Sequence, residues 1–275
     1  MPVPPPSASL DLPAVAAQLG GAACRFDIAA LAVCDSTNTE LLRRAEAGAP
    51  SGSVVVADQQ RAGRGRRGRT WHASPGDSLT FSLLWRFPPE SSAPAALSLA
   101  VGVALARAME ELGASEVRLK WPNDLLLAGR KLGGVLIELQ PGAVRSAIIG
   151  VGINLKLPPD LPPDVASAAT ALTTLVAPPG PQPATRERVL AICLKHLQRG
   201  LDDYASHGFA ALHSEWQARH AWHGTTVRIS GGGDDIIGLC HGVDIDGNLL
   251  LETPTGLRTV ASGDVSLRRS EGSTA

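Results

Sequence analysis

Asp58-Gln-Gln-Arg-Ala-Gly-Arg-Gly-Arg-Arg-Gly-Arg-Thr-Trp71 is the stretch on which the reading of this chain turns. Between Arg61 and Arg69 it carries five arginines and three glycines, in a protein whose formal net charge is −1. Glycine lacks a Cβ, so backbone and ligand can approach closely. Arginine offers a planar fork of donors suited to phosphate and carboxylate. A segment made of both is suited to wrapping an anion. Gly63-Arg-Gly-Arg-Arg-Gly68 also fits G-x-G-x-x-G and follows the β-branched run Ser53-Val-Val-Val-Ala57, so a dinucleotide fold has to be weighed. That motif should open an apolar helix packed on a sheet. Arg69-Thr-Trp-His-Ala-Ser-Pro75 follows instead and cannot do so, and there is no G-x-x-x-x-G-K-[ST] of a P-loop. The Rossmann reading fails on this context. Two readings stay open beside a ligand loop: a solvated basic loop, and an RGG-like nucleic-acid segment, which would be expected to repeat and to lie in a tail.

The rest of the chain sets the frame. Its 275 residues, 44% hydrophobic, suffice for a sizeable core and exclude global disorder. Lys+Arg total 25 and Asp+Glu 26, so the positive charge is local, unlike that of a general nucleic-acid binder. Cys24, Cys34, Cys193 and Cys240 are scattered, which points to reduced thiols in a cytoplasmic setting. No apolar run reaches the ~18–20 residues of a membrane span. An export signal is rejected, because no Lys or Arg precedes the apolar part of residues 1–24 and Asp11 and the prolines interrupt it.

Residues 1–9 read as a disordered tail, and Asp11 to Gly20 as a short helix. Asp35 or Ser36 caps a helix over 38–47 that stops at Gly48-Ala-Pro50. Strands are expected at Ser53–Ala57, Leu79–Phe87 and Val117–Trp121, a hairpin over 125–139, and a buried strand at Ser146–Asn154. Helices are expected over Pro94–Leu112, Thr185–Tyr204 and Phe209–Arg219, with a loop at 157–183 holding about one helical turn near Ala166–Leu175. Beyond His223-Gly224 the text changes to short strands and tight turns such as Asp246-Gly-Asn248, which suggests a small β-barrel of SH3 size.

A second hallmark, Lys120-Trp-Pro-Asn-Asp124 followed by Gly129-Arg-Lys131-Leu-Gly-Gly134, joins the Arg/Gly stretch. With Asp35-Ser-Thr-Asn38 and Gly150-Val-Gly-Ile-Asn154, in this order and spacing, the chain resembles the biotin–protein ligase family over about residues 26–268. The resemblance implies an α/β (α+β) fold: a mixed-sheet catalytic domain of the biotin/lipoate ligase type, then a small C-terminal SH3-like β-barrel. The expected boundaries are a flexible N-terminal segment over 1–25, the ligase domain over 26–223 and the SH3-like domain over 224–270. Repressor members carry an N-terminal DNA-binding domain. About 25 residues precede Phe26, so a monofunctional ligase without specific DNA binding is expected.

The family reaction joins biotin to ATP, giving biotinyl-5′-AMP and pyrophosphate. It then transfers biotin to one lysine of the biotin carboxyl carrier domain of a carboxylase such as acetyl-CoA carboxylase. An anionic nucleophile meeting a polyanion requires assembled positive charge. The resemblance therefore implies Arg64, Arg66 and Lys131 as catalytic residues, with Mg²⁺ alongside. Biotin is expected at Ser36, Thr37, Asn38, Gln60, Gly63, Arg64, Gly65, Arg66, Lys131 and Gly134. ATP and the adenylate are expected at Arg66, Arg69, Trp71, Lys120, Asn123, Asp124, Lys131 and Asn154, with Asp124 a candidate metal-side acid. Several of these residues have plain structural readings as well: Ser36 a helix N-cap, Gly134 a β-bulge, Trp71 core, Asn123 and Asp124 a turn. A lipoate–protein ligase shares the adenylation logic and is the enzymatic alternative. No membrane partner is expected, and the choice between monomer and homodimer stays open.

Overall fold

Alternation along the strands builds the central layer. The computed structural model describes residues 10–88, 94–140, 146–158, 161–175, 184–231, 234–262 and 266–269. Seven strands form one sheet: β1 (Asp27–Cys34), β2 (Ser53–Gln60), β3 (Ser78–Arg86), β4 (Arg118–Lys120), β5 (Asp124–Leu127), β6 (Arg130–Gln140) and β7 (Ser146–Asn154). Their order is β1-β2-β3-β7-β6-β5-β4. β1 and β2 run parallel and every other neighbouring pair is antiparallel, so the sheet is mixed.

Successive side chains of a strand point to opposite faces. Val54 and Val56 of β2, with Leu79, Phe81 and Leu83 of β3, enter the main core. On that face lie α1 (Leu12–Leu19), α3 (Leu97–Glu111), α6 (Arg186–His207) and α7 (Ala210–Arg219). Val55, Leu84 and Ile148 point the other way and are covered by Leu41 and Ala45 of α2 (Thr37–Glu46), which connects β1 to β2. That second cluster is small, because α2 covers only part of its face. The uncovered remainder is the cleft described below.

Two further helices, α4 (Pro163–Ala168) and α5 (Leu172–Leu175), interrupt the long connection after β7. A second sheet holds β8 (Thr226–Ser230), β9 (Ile236–Val243), β10 (Leu249–Thr253), β11 (Gly256–Val260) and β12 (Ser266–Arg269), all antiparallel, in the order β11-β10-β9-β8-β12. Among the described residues the ladders place β11 and β12 at the two ends of this sheet. Trp121 Nε1 donates to Gly247 O at 3.0 Å, fastening the two sheets together.

The expected α6 cap is present, since Thr185 Oγ1 accepts from Arg188 N at 3.3 Å. Gly113 ends α3 with φ +97°. Two expectations need correction. The tail expected over residues 1–9 lies outside the described residues. However, Leu10, Val15 and Leu19 are buried in the core, so the segment expected to be flexible up to residue 25 is ordered from Leu10 onward. The expected single turn near Ala166–Leu175 is two helices, one of them started by Pro163, whose fixed φ suits a first helical position. Among the described residues no helix is long and apolar enough to cross a membrane.

Candidate active site

The cleft floor consists of small residues that share one face of three adjacent strands. Thr80 pairs with Gly152 and Ser82 with Gly150 across β3 and β7, and Gly134 and Leu136 of β6 continue the same rows. Glycine at two of these positions is a matter of space. A Cβ on Gly150 would lie 2.3 Å from Asn38 Oδ1, and one on Gly152 would lie 2.5 Å from the Trp71 indole. The Gly150-Val-Gly152 spacing thus seats Asn38 and Trp71 side by side, while Val151 between them faces the core.

Uncharged polar groups line one end. Ser36, Thr37 and Asn38, at the start of α2, are 5%, 4% and 3% exposed. Ser36 occupies the N-cap position, yet its side chain makes no capping bond, so the hydroxyl remains available to a ligand. Gln60 Oε1 accepts from the Thr37 backbone N–H at 2.8 Å, which turns the Gln60 amide donors the other way. Ser82 Oγ donates to Asn38 Oδ1 at 2.6 Å.

Charge dominates the other end. Asp124 lies 2.6 Å from Lys131 Nζ and 3.4 Å from Lys120 Nζ. Burial alone would raise the Asp124 carboxyl, but Lys131 and Lys120 together hold it below its ordinary value. Lys120 shifts down as well, because the burial of its ammonium outweighs the pull of Asp124. Lys131 Nζ is also 5.8 Å from the Trp71 ring centroid, and the Trp71 Nε1–H is buried with no acceptor among the described residues. Arg66 and Arg69 add their charge from the loop that forms the roof.

The Arg/Gly loop is folded back on itself. Gly65 N donates to Arg69 O at 2.7 Å and Trp71 N to Gly63 O at 3.0 Å, and Arg64 bridges to Thr70. Arg67 has φ +59°, an uncommon backbone for a residue with a side chain, at the tip of the turn. The loop also touches the second sheet: Arg66 donates to Ser262 O, and Arg69 to Ser266 Oγ at 3.1 Å.

Thirteen expected site residues line this cleft: Ser36, Thr37, Asn38, Gln60, Arg64, Gly65, Arg66, Arg69, Trp71, Asn123, Asp124, Lys131 and Gly134. Gly63, Lys120 and Asn154 do not. A Cβ on Gly63 would meet Trp71 O at 2.9 Å, so this glycine shapes the loop's own fold. Lys120 stands behind Asp124, 4.8 Å from the Trp222 ring centroid. Asn154 spends its amide donors on Lys131 O and Thr170 O, which ties β7 to the segment before α5. Gly134 sits in regular register opposite Asp124 and Gly152; the irregularity of the β5–β6 ladder falls between Leu125 and Leu126. Asn123 is more than a turn residue, since its Nδ2 donates to Val135 O at 2.7 Å. Thr80, Gly150 and Gly152 complete the floor; none was expected as a site residue, although the two glycines stand in the Gly150-Val-Gly-Ile-Asn154 motif.

Comparison with known proteins gives consistent results. Residues 30–154 match the biotin/lipoate A/B protein ligase family, and residues 223–268 match the biotin protein ligase C-terminal domain. The chain is 33% identical over 271 residues to the bifunctional ligase/repressor BirA of Escherichia coli, covering 98% of this chain and 81% of that protein. It is 35% identical over 245 residues to the biotin–[acetyl-CoA-carboxylase] ligase of Paracoccus denitrificans, covering 86% of this chain and 98% of the relative. Among solved structures, the biotin protein ligase of Aquifex aeolicus in complex with biotin and ATP superposes with a TM-score of 0.77 at 32% identity, covering 89% of this chain and 99% of that one.

Proposed function

Because the chain belongs to the biotin protein ligase family, we propose that it activates biotin with ATP and transfers it to a lysine of a biotin carboxyl carrier domain. The observation that carries this reading is the division of the cleft. It has a neutral hydrogen-bonding end at Ser36, Thr37, Asn38 and Gln60, and a cationic end at Arg66, Arg69 and Lys131. Biotin is divided in the same way, with an uncharged ureido head and a carboxylate tail. A lipoyl head would leave the polar end unmatched, and unpaired buried polar groups are costly.

In the first step a carboxylate oxygen of biotin attacks the α-phosphorus of ATP. A new O–P bond forms as the P–O bond to pyrophosphate breaks. Lys131, Arg66 and Arg69 hold the negative charge gathered at that phosphorus, and a preorganised, partly dry site makes such charges effective. The unpartnered Trp71 N–H, beside the cations, suits the nucleotide. In the second step the lysine amine of the carrier attacks the acyl carbon, the C–O bond to AMP breaks and the amine loses a proton. The Arg/Gly loop shields the anhydride from water in the interval.

Mg²⁺ neutralises phosphate charge when bound. Among the described residues no group of three or more His, Cys, Asp or Glu side chains could hold a metal. Asp124 fits as a single outer partner at most, since Lys131 and Lys120 already flank it. A metal that arrives on the phosphates of ATP needs only such limited protein ligation. The cytoplasm is the proposed setting, consistent with four free cysteines.

Incubation with ATP, Mg²⁺, biotin and a biotin carrier domain should add one biotinyl group to one carrier lysine, read by mass spectrometry. ATP–pyrophosphate exchange should occur with biotin and be absent with lipoate in its place. Lipoate-dependent exchange with no response to biotin would overturn the assignment. Arg66→Ala should release the adenylate rapidly while the fold stays intact; retention equal to that of the unaltered protein would remove Arg66 from this role.

A further inference from the structure

Glu138 belongs to none of the motifs above, yet it connects three parts of the polar end. It lies on β6 opposite Ile148, on the cleft face of the sheet. Its Oε2 accepts from Asn38 Nδ2 at 2.7 Å. Its Oε1 lies 3.3 Å from the Arg64 guanidinium, whose same nitrogen donates to Thr39 Oγ1 at 3.1 Å. One carboxylate thus links the start of α2, strand β6 and the Arg/Gly loop.

The consequence for Asn38 follows from donor and acceptor inventories. Asn38 Nδ2 faces Glu138 and, at 3.3 Å, the carbonyl oxygen of Leu136. Both of these can only accept, so the amide nitrogen must stand on their side. Asn38 Oδ1 then receives the Ser82 hydroxyl, and its remaining lone pair is all that Asn38 can offer a ligand. Gln60 is locked in the opposite sense, because its oxygen is taken by the Thr37 N–H. The polar end therefore presents an acceptor from Asn38 and donors from Gln60. A ureido group, with N–H on either side of a carbonyl, has the complementary pattern.

We infer that Glu138 is a positioning residue for biotin recognition: it fixes the direction of the Asn38 amide and secures Arg64 beside it. This rests on the biotin reading. A neutral glutamine could donate to Asn38 as well as accept from it, so Glu138→Gln keeps the shape and leaves only the longer contact to the Leu136 carbonyl, at 3.3 Å, to set the direction of the Asn38 amide.

The test compares the unaltered protein with Glu138→Gln and Glu138→Ala. Biotin affinity is measured by calorimetry without ATP, KM for biotin and for ATP by pyrophosphate exchange, and Tm by thermal unfolding. Both variants should weaken biotin about tenfold or more, as expected when hydrogen bonds to a charged group are lost. KM for ATP should stay within about twofold, because the ATP end of the cleft is untouched. Unchanged biotin affinity, or equal losses for biotin and ATP, would overturn the inference. So would a Glu138→Gln variant that does not fold, since the residue would then serve the fold alone; if only Glu138→Ala fails to fold, Glu138→Gln decides. An unaltered protein that does not bind biotin would instead overturn the functional reading itself.

Discussion

Gly152 has little freedom in the cleft. A methyl group at its Cβ position would lie 2.5 Å from two atoms of the Trp71 ring, and the strand beneath it is paired on both sides. Gly152→Ala must therefore move the indole rather than the strand. An active-site displacement of about 1 Å can cost on the order of 10²-fold in rate. We expect kcat/KM for ATP to fall by roughly that factor with little change in Tm, measured by pyrophosphate exchange and thermal unfolding; a variant of normal activity would mean that Trp71 does not contact the nucleotide. Legibility at this scale was uneven. Lys131 and Asp124 were readable as site residues because both stand in motifs, and they are in direct contact. Glu138 was not, because one charged residue in Val135-Leu-Ile-Glu-Leu139 reads as a solvent-facing strand position. Its use depends on Asn38 and Arg64, which are brought to it only by the pairing of β6 with β7 and the packing of α2.

At the scale of elements, the Arg/Gly loop is held by its own short ladder, by the contacts of Arg64 to Thr39 and Glu138, and by two hydrogen bonds to the second sheet. Most of residues 61–70 are exposed, and such segments open at low free energy. Ligand binding should therefore slow amide exchange over residues 61–70 when biotin and ATP are added, while the core of β3, β6 and β7 stays unchanged. Equal exchange in both states, followed by mass spectrometry, would refute a clamping role. The strands that the sequence made plain, Ser53–Ala57 and Ser146–Asn154, are continuous apolar runs, as strands buried on both faces tend to be. β1 and β12 were harder to foresee. Among the described residues β1 is an alanine-rich edge strand with β2 as its sole sheet neighbour, and β12 is a short arginine-containing strand paired only with β8. Neither is specified by its own residues; each is specified by its neighbour.

Across the whole molecule, the junction between the two sheets carries a pH liability. His220 is buried, its ring stacks on Trp216 at 4.7 Å between centroids, and both ring nitrogens lack partners among the described residues. Burial, with His223 adding to it, pushes its pKa down to about 4 from an ordinary 6.5. The unfolded chain therefore takes up a proton below about pH 6.5 while the folded one does not until about pH 4. Stability is full above 6.5 and declines between those values, by on the order of 3 kcal/mol at most. His220→Phe should flatten that part of a stability-versus-pH curve, measured by urea unfolding, without changing the slope at neutral pH. A curve of unchanged shape would show that other groups titrate there.

The hydrogen bonds from Arg66 to Ser262 and from Arg69 to Ser266 also have a meaning in time. A ribosome delivers the loop long before it delivers those serines, which lie 196 and 197 residues further along the chain. While the chain is still being made, the first sheet can pair its strands, yet the loop cannot reach its final anchors. Both contacts are in place only when translation has passed Ser266, so a nascent chain interrupted before Ser262 lacks these two anchors and holds the loop by its own ladder and by its contacts to β1, α2 and β6.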